Sequence, residues 1–324
     1  MQLDSILLPI RDELPRVETE ILAASATSVP TITEIVHYII RNGGKRVRPA
    51  LTMLAGRVCG YTGTAGPRIG AAIEMVHTAS LLHDDVVDSA PTRRGKTSIN
   101  ARWGNQISVL VGDFFWCKAC QIIVDHGNSR ILRVITEAIV GTTEGEVIEL
   151  VKTNDLGLTE AEYLRIIQHK TALLMAAACR AGAMLGDASE GMEAALGRYG
   201  LDLGVAFQLA DDALDYDSDE ERLGKTKGTD LREGRLTLPL LYTLGRCNES
   251  ERASIKEALL APTLHEEQFG AVVQLLAQYD AIAHTRNLAQ QYVERAKAHL
   301  TPFKPSLERD ALERLADYVV LRGE

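Results

Sequence analysis

Two short segments of the chain carry clustered aspartates, and each cluster has the spacing DDxxD. The first motif lies in SLLHDDVVDSAPTRRGK and contains Asp84, Asp85 and Asp88; the second lies in FQLADDALDYDSD and contains Asp211, Asp212 and Asp215. On a helix, positions i and i+4 lie one turn apart on one face, so the outer carboxylates of each motif project together. Both motifs end long apolar segments, and carboxylates at helix C-terminal ends need counter-charge. Mg²⁺ suits such oxygens and commonly completes its coordination shell with substrate phosphates.

Two other interpretations of these motifs are a solvated acidic helix face and a calcium-storage site. A single DDxxD on an exposed helix is typical of a solvated acidic face, but two such motifs that each end an apolar helix favour a chemical role. Calcium storage would use the DxDxDG spacing and the glycine of an EF-hand loop, which neither motif has.

Basic residues form discrete sets on the segments around these motifs. Arginine forks and flexible lysines beside glycine-rich backbone suit the oxygens of a diphosphate. The sets are Lys45, Arg46 and Arg48 in GGKRVRP, Arg93, Arg94 and Lys96 in TRRGK, Lys170 in HKTALL, and Lys225, Lys227 and Arg235 in GKTKGTDLREGR. Each set alone is also typical of a solvated surface, and we keep that interpretation for Lys96 and Lys227. Lys170 differs, because a small and apolar helical stretch follows it.

Composition limits the partners and the compartment. The chain has 324 residues, 46% of them hydrophobic, and a formal charge of −9 from 35 basic and 44 acidic residues. This charge disfavours nucleic acid or an anionic membrane surface as the main partner. The first residues do not form a secretion signal, and the longest apolar run, within TALLMAAACRAGAML, is interrupted by Arg180. We therefore expect a cytoplasmic protein with no transmembrane segment.

The five cysteines do not indicate a disulfide framework, since they are odd in number and scattered. Cys117 and Cys120 form a CxxC, but no second pair accompanies it and its flanks are apolar. We favour small residues packing on a helix over a zinc or redox site.

The periodicity of apolar residues predicts an all-α protein. Three segments indicate long helices: RIGAAIEMVHTASLLHDDVVD, TEAEYLRIIQHKTALLMAAACRAGAML and EGMEAALGRYGLDLGVAFQLADDALDY. The second opens with a capping box, Thr159 and Glu162. No linker composition divides the chain, so we expect one all-α domain over residues 1–324. The many small residues of the long helices permit either close helix approach or a cavity between helices.

The ordered motifs GGKRxRP, LLHDDxxDxxxxRRGK, KT on a helix, FQLxDDxxD and GKxxGxDLxEGxxTLPL span residues 43–240. In this order and spacing the chain resembles the trans-isoprenyl diphosphate synthase family. The resemblance implies a barrel of long helices around a central cavity, usually in a homodimer. It also implies that isopentenyl diphosphate condenses head-to-tail with an allylic diphosphate, such as farnesyl or geranyl diphosphate. The allylic cation that forms would be attacked by the double bond of isopentenyl diphosphate.

The resemblance carries roles over to particular residues. The six aspartates, foremost Asp84, Asp85, Asp88 and Asp211, would hold Mg²⁺ ions that grip the allylic diphosphate. The side chains around that diphosphate would be Arg93, Lys170, Thr171, Gln208 and Lys225. Those that bind isopentenyl diphosphate would be Lys45, Arg48, His77 and Arg94. Arg235 stands where the family typically has lysine, which keeps the charge but changes the geometry of the contact.

Product length is expected to depend on the residues that precede the first motif. In the family, aromatic residues four or five positions before the first aspartate block the growing chain. Here Val76, Ala79 and Ser80 are all small or of moderate size. We therefore expect a long all-trans product, from heptaprenyl to nonaprenyl with octaprenyl as the central value, typical of quinone side chains.

Three alternatives remain at this stage. A shorter-chain synthase, making farnesyl or geranylgeranyl diphosphate, would use the same motifs. A class I terpene cyclase would share a helical barrel and one DDxxD, but usually lacks the second aspartate motif and GGKRxRP. A regulatory subunit of a heteromeric synthase would be expected to have lost aspartates that are intact here.

Overall fold

The computed structural model describes residues 2–217, 227–261 and 263–321. This part of the chain is helical apart from one short hairpin, which confirms the predicted all-α class. It forms two compact units. Unit 1 comprises Met1–Val140, Leu174–Gly200 and Lys297–Leu315, and unit 2 comprises Gly141–Leu173, Leu201–Ala296 and Ala316–Glu324. A single domain over residues 1–324 stays a prediction.

The first elements along the chain are α1 (Leu3–Ile6), a 3₁₀ turn (Leu8–Ile10), α2 (Arg16–Ala24), α3 (Pro30–Arg41), α4 (Val47–Val58), α5 (Gly66–Val87), β1 (Thr92–Arg93), β2 (Lys96–Thr97), α6 (Ile99–Trp103), α7 (Asn105–His126) and α8 (Ser129–Lys152). The elements that follow are α9 (Glu160–Ile167), a π-helical turn (Gln168–Ala172), α10 (Leu173–Leu185), α11 (Glu190–Asp217), α12 (Thr229–Arg232), α13 (Leu238–Leu244), α14 (Glu249–Leu260), α15 (Glu266–Gln278), α16 (Ala281–Ala298) and α17 (Leu307–Leu321).

Helix α5 is the centre of unit 1, where it packs against α2, α4, α6 and α7. Pro67 lies in its first turn, a position that proline tolerates because the N–H there has no helical partner. The helix is buried on most of its circumference, including Ile69, Ile73 and Met75. A rigid, buried helix thus carries the first aspartate motif at its C-terminal end.

In unit 2, α9 continues through the π-helical turn, so the segment predicted as one helix is interrupted at its middle. The capping box is as predicted: the Thr159 hydroxyl accepts the Glu162 N–H, and the Glu162 carboxylate accepts the Thr159 N–H at 2.9 Å. The π turn includes Lys170 and Thr171. Such turns occur often at functional sites because they rotate side chains out of the regular helical register.

Small residues in the long helices allow close helix approach at two points. In unit 1, a Cβ on Gly182 would clash with the Thr52 carbonyl oxygen, so α10 and α4 touch through their backbones. In unit 2, a Cβ on Gly204 would lie within 2.7 Å of Ala172 Cβ. Of the two explanations offered for these residues, close approach applies at both glycines.

The cysteines form no disulfides among the described residues. All five cysteines are free thiols; Cys117 and Cys120 both lie on α7, where Cys117 is exposed and Cys120 is half-buried. Helix α7 is the one described helix long and apolar enough to cross a membrane, with 39% of its most apolar stretch buried. The longest apolar run predicted from the sequence lies instead in TALLMAAACRAGAML. Core helices of proteins without membrane spans commonly meet the same criterion.

Candidate active site

The first aspartate motif occupies the last turn of α5, as predicted. Asp84 is half-buried, Asp85 is 2% exposed, and Asp88 is exposed at the position that ends the helix, where its backbone N–H donates to Asp84 O at 2.8 Å. Because Asp84 and Asp88 are one turn apart, they are the carboxylates of this motif that a solvated ligand reaches most easily.

Asp85 is held by a residue of the following loop. The Arg93 guanidinium donates to Asp85 Oδ1 at 2.7 Å, and the Asn100 amide donates to the Asp85 backbone oxygen at 2.9 Å. Burial raises the pKa of Asp85, Arg93 opposes the rise, and the charge of Asp88 adds to it. Asp85 therefore orients Arg93 rather than facing solvent.

The basic loop that follows the motif forms a short β-hairpin with a two-residue turn. Thr92 pairs with Thr97 and Arg93 with Lys96. The turn residues Arg94 and Gly95 have φ values of 53° and 72°, as a type I′ turn requires. Arginine in this conformation is strained by about 1 kcal/mol or more, and such strain is found where function fixes a side chain.

A pocket in unit 1 collects several predicted residues. Its lining includes His77, Arg93, Arg94, Arg46, Asn42 and Glu74. Arg94 packs on the glycine loop, since a Cβ on Gly44 would lie 2.5 Å from Arg94 Nη1. This contact explains why the loop has glycine beside the basic residues. The pocket thus combines one wall from α5, one from the GGKR loop and one from the hairpin.

Arg48 and His77 are electrostatically unusual. Burial lowers the pKa of Arg48 to about 10, with Glu74 acting against the fall and Arg94 adding to it. Burial and the charges of Arg48 and Arg94 hold the pKa of His77 well below its usual value of 6.5. His77 is therefore neutral at physiological pH, and Arg48 stays protonated.

Two donors near this pocket are short of acceptors. Among the described residues, Arg48 Nε and Asn42 Nδ2 are buried and make no hydrogen bond. Buried donors without acceptors are costly unless a ligand satisfies them. Lys45 is exposed on the same loop. The arrangement suits an anion with several oxygens.

The second aspartate motif lies in the last turns of α11. Asp211 is half-buried, whereas Asp212 and Asp215 are 2% and 0% exposed. The Tyr163 hydroxyl donates to Asp212 Oδ2, and the Gln208 amide donates to Asp212 Oδ1 at 2.8 Å. Burial raises the pKa of Asp212 to about 7, and its two hydrogen bonds oppose that rise. Asp212 is a buried anchor, and Asp211 is the more accessible carboxylate.

Asp215 binds the backbone at Gly228 and Asp230. Its Oδ2 accepts the Asp230 N–H at 3.0 Å, and its backbone oxygen accepts the Gly228 N–H at 2.9 Å. Lys225, predicted to bind the allylic diphosphate, lies outside the described residues.

Lys170 lies between two carboxylates that the sequence analysis did not identify. Its ammonium donates to Glu146 Oε2 at 2.9 Å and to Glu149 Oε2 at 2.6 Å. Burial raises the pKa of Glu146, while Lys170 opposes the rise. Gly145 lets α8 approach the π turn, because a Cβ there would lie 2.9 Å from the Lys170 nitrogen.

Unit 2 has a pocket of its own, which Lys170 lines, and the remaining predicted residues of this unit line that pocket or lie beside it. The Thr171 hydroxyl donates to Gln208 Oε1 at 2.9 Å, so Thr171, Gln208 and Asp212 form one chain of hydrogen bonds. Arg235 lies 2.6 Å from Glu233 and 3.8 Å from Glu149. The pocket is lined by Lys170, Gln208, Asp212 and Arg235, together with Glu149 and Asp230.

The residues expected to set product length lie on α5 in unit 1. Val76 is 4% exposed, Ala79 is fully buried, and the half-buried Ser80 donates to the His77 backbone oxygen at 2.9 Å. None of the three places an aromatic ring before the first motif.

The donor set fits a hard divalent cation. Within the ranges that the structure describes, no three His, Cys, Asp or Glu side chains converge as a closed metal cage. Mg²⁺ does not require one, since it is commonly bound by one or two carboxylates with water and substrate phosphate. In unit 1 the accessible oxygens of Asp84 and Asp88, and in unit 2 those of Asp211, are oxygens of that kind.

An all-α fold with two DDxxD motifs at helix ends, each accompanied by lysine and arginine, defines a class of diphosphate-handling enzymes. The polyprenyl synthetase family model matches residues 29–276. The octaprenyl diphosphate synthase of Escherichia coli is 39% identical over 322 residues, which is 99% of each chain.

Solved structures give the same result. The polyprenyl synthase of Caulobacter crescentus, complexed with calcium and isoprenyl diphosphate, is 40% identical with a TM-score of 0.95, covering 100% of this chain and 98% of that one. A decaprenyl diphosphate synthase from Rhodobacter capsulatus is 36% identical with a TM-score of 0.95, covering all of both chains. The chain belongs to the polyprenyl synthetase family. It is a trans-prenyltransferase.

Proposed function

We propose that this trans-prenyltransferase uses Mg²⁺ to condense isopentenyl diphosphate, head-to-tail, with an allylic diphosphate and so builds a long-chain all-trans polyprenyl diphosphate. One observation carries the proposal: this chain belongs to the family and has both DDxxD motifs, with basic residues beside each of them. The similarity to octaprenyl and decaprenyl diphosphate synthases supports the long product.

The two motifs bind the metal ions of the allylic diphosphate. Asp84, Asp88 and Asp211 are the proposed direct ligands, because their carboxylates are the accessible ones. Asp85 and Asp212 are buried and hold neighbouring side chains in place, and Asp215 binds the backbone N–H groups of Gly228 and Asp230. When bound, Mg²⁺ supplies positive charge that stabilises the departing diphosphate.

The basic residues divide between the two substrates. Arg93, Lys170 and Lys225, with Thr171 and Gln208, bind the allylic diphosphate. Because Arg93 is fixed by Asp85 and Lys170 by two glutamates, both cations are oriented before the substrate arrives. Pre-organised charge stabilises the leaving group without reorganisation during the reaction.

Isopentenyl diphosphate binds in the pocket of unit 1. Lys45, Arg48 and Arg94 contact its phosphates, and neutral His77 adds a hydrogen bond. Arg48 Nε and Asn42 Nδ2, which have no acceptor among the described residues, are the donors expected to gain most from the substrate. Arg235 supports the allylic site by balancing its acidic neighbours.

The reaction ends with loss of a proton from the extended chain. No described side chain is placed as an obvious base, and the released diphosphate is the proposed acceptor. The product is again an allylic diphosphate, so the cycle repeats. With small residues at Ala79 and Ser80, the chain grows to the heptaprenyl to nonaprenyl range, with octaprenyl as the central value and quinone side chains as the proposed use.

Assembly and location are part of the same proposal. We expect a cytoplasmic homodimer; the family resemblance supports the dimer. Sedimentation of the purified protein would show a mass of twice 35.4 kDa if this is correct.

One assay tests the function. Purified protein is incubated with Mg²⁺, farnesyl or geranyl diphosphate and labelled isopentenyl diphosphate, and the products are separated by length. A long all-trans series is expected. Products that stop at farnesyl or geranylgeranyl length would indicate a shorter-chain synthase, and a failure to consume isopentenyl diphosphate would indicate a cyclase or a non-catalytic subunit.

A further inference from the structure

Glu74 is a buried carboxylate in the middle of a cationic pocket, and the proposed reaction gives it no role. It lies on the α5 face that lines the pocket of unit 1, and its side chain is 7% exposed. The other carboxylate of that lining, Asp85, already pairs with Arg93. A buried charge is costly unless it is paired, so the partners of Glu74 are informative.

Its direct partner is Arg46. Arg46 Nη1 donates to Glu74 Oε1 at 2.9 Å, and the same guanidinium donates through Nη2 to Glu18 Oε1 at 3.0 Å. The Arg46 side chain is 9% exposed. Arg46 is thus fixed between α2 and α5 by two carboxylates, which leaves it unsuited to bind substrate itself.

The backbone of Arg46 explains why this fixation affects the pocket. Arg46 has φ 50° and ψ 37°, a left-handed conformation, at the residue that precedes α4. Lys45 comes immediately before it, and Arg48 lies in the first turn of the helix that follows. The position of Arg46 therefore sets the direction in which both of these residues leave the loop.

Glu74 also acts through space on the other arginines. Its charge favours the protonated forms of Arg48 and Arg94, whereas desolvation and the neighbouring arginines oppose them. Without a bound diphosphate, these guanidinium groups repel one another in a partly buried pocket. Glu74 is the internal counter-charge that lets them stay together.

We infer that Glu74 is a positioning residue for the isopentenyl diphosphate subsite: through Arg46 it fixes the loop that carries Lys45 and Arg48, and by its charge it holds Arg48 and Arg94 together. This inference rests on the proposed function. Because Glu74 acts through these cations, its effect is specific to the substrate that they bind.

The test is steady-state kinetics of Glu74→Gln with each substrate varied in turn. Glutamine keeps the shape but loses the charge. Loss of a charged hydrogen bond of ordinary strength corresponds to about a tenfold or larger change in an equilibrium constant. We expect the KM for isopentenyl diphosphate to rise about tenfold, while the KM for farnesyl diphosphate changes less than about twofold.

A matched control separates positioning from stability. Glu193 is also in unit 1, its side chain is also 7% exposed, and it also binds arginines, Arg130 and Arg180. It does not line the pocket of Glu74. Glu193→Gln is expected to lower thermal stability without changing the ratio of the two KM values. If Glu74→Gln leaves that ratio unchanged as well, the inference is wrong.

A second variant covers the case in which Glu74→Gln does not fold. Arg46→Lys keeps the charge, but a lysine cannot present a planar fork to both carboxylates. It should raise the KM for isopentenyl diphosphate selectively, and an unchanged KM would also overturn the inference. Arg94→Gln tests the proposed function separately: if its KM for isopentenyl diphosphate stays at the parent value, the subsite itself is misassigned.

Discussion

The guanidinium of Arg93 lies 2.7 Å from Asp85 Oδ1, so the first aspartate motif neutralises part of its charge with a base from its own loop. Asp85 is 2% exposed, and the hairpin that presents Arg93 is joined to the end of α5 by four residues. The acidic motif and the basic loop therefore form one local unit. This explains why aspartates and arginines occur so close together in the sequence.

Replacement of this arginine should affect both folding and binding. In Arg93→Gln the buried carboxylate of Asp85 loses its ion pair, and we expect unfolding to cost about 1–3 kcal/mol less, because Arg93 is partly solvated. The KM for the allylic diphosphate should rise and kcat should fall. Denaturant unfolding and kinetics check both. Lys96→Gln, on the exposed side of the same hairpin, should change stability by less than about 0.5 kcal/mol.

Activity should require a divalent metal ion, and the Mg²⁺ concentration that it needs should depend on the accessible aspartates. Treatment with EDTA is expected to abolish activity, and added Mg²⁺ should restore it. Asp84→Asn or Asp88→Asn should raise the Mg²⁺ concentration for half-maximal activity about tenfold or more, since one charged ligand is lost. Asp113→Asn, at an exposed carboxylate on α7, is the control. Equal Mg²⁺ dependence in the parent and in Asp84→Asn would contradict the assignment.

Product length should respond to bulk at Ala79. Ala79→Phe is expected to shift the products to shorter chains, because the added ring lies five residues before the first aspartate of the motif. Ala72→Phe is the comparison, since Ala72 is also fully buried on α5 but lies about 10 Å further along the helix axis. Its products should be longer than those of Ala79→Phe. An unchanged length distribution in a folded Ala79→Phe protein would rule out this path.

The stability of the protein without substrate should depend on pH through His77. Folding holds the pKa of His77 well below 6.5, so below that pH the unfolded chain binds more protons than the folded one. The contribution of neutral His77 is complete above pH 6.5 and is lost as the pH falls towards the lower folded value. Denaturant unfolding from pH 5 to 8 should therefore show stability falling at the acid end.

The matched variants make this measurement specific. His77→Gln should weaken the fall in stability at low pH, because the titrating group is gone. His126→Gln, at an exposed position that ends α7, should leave the fall unchanged. A parent and a His77→Gln variant with the same acid dependence would show that other groups are responsible.

Local sequence determined much of this protein. The apolar periodicity predicted α5 and α11, the Thr159 capping box predicted the start of α9, and the two DDxxD motifs lie at helix ends as expected. These features depend on interactions within about one helical turn, so residue spacing is enough to identify them. The ordered motifs were also enough to indicate the family.

Tertiary structure decided the rest. The partners of Lys170 and Arg46, namely Glu146, Glu149, Glu18 and Glu74, come from other helices, and no local spacing identifies them. The hairpin depends on Arg94 adopting a positive φ, which the sequence does not favour, and the π turn is packed against α8 at Gly145. The sequence also did not show which aspartates are accessible and which are buried, because burial depends on how the whole chain packs. Spacing specifies which charges share a helix face, whereas only long-range packing specifies the charge that each of them meets.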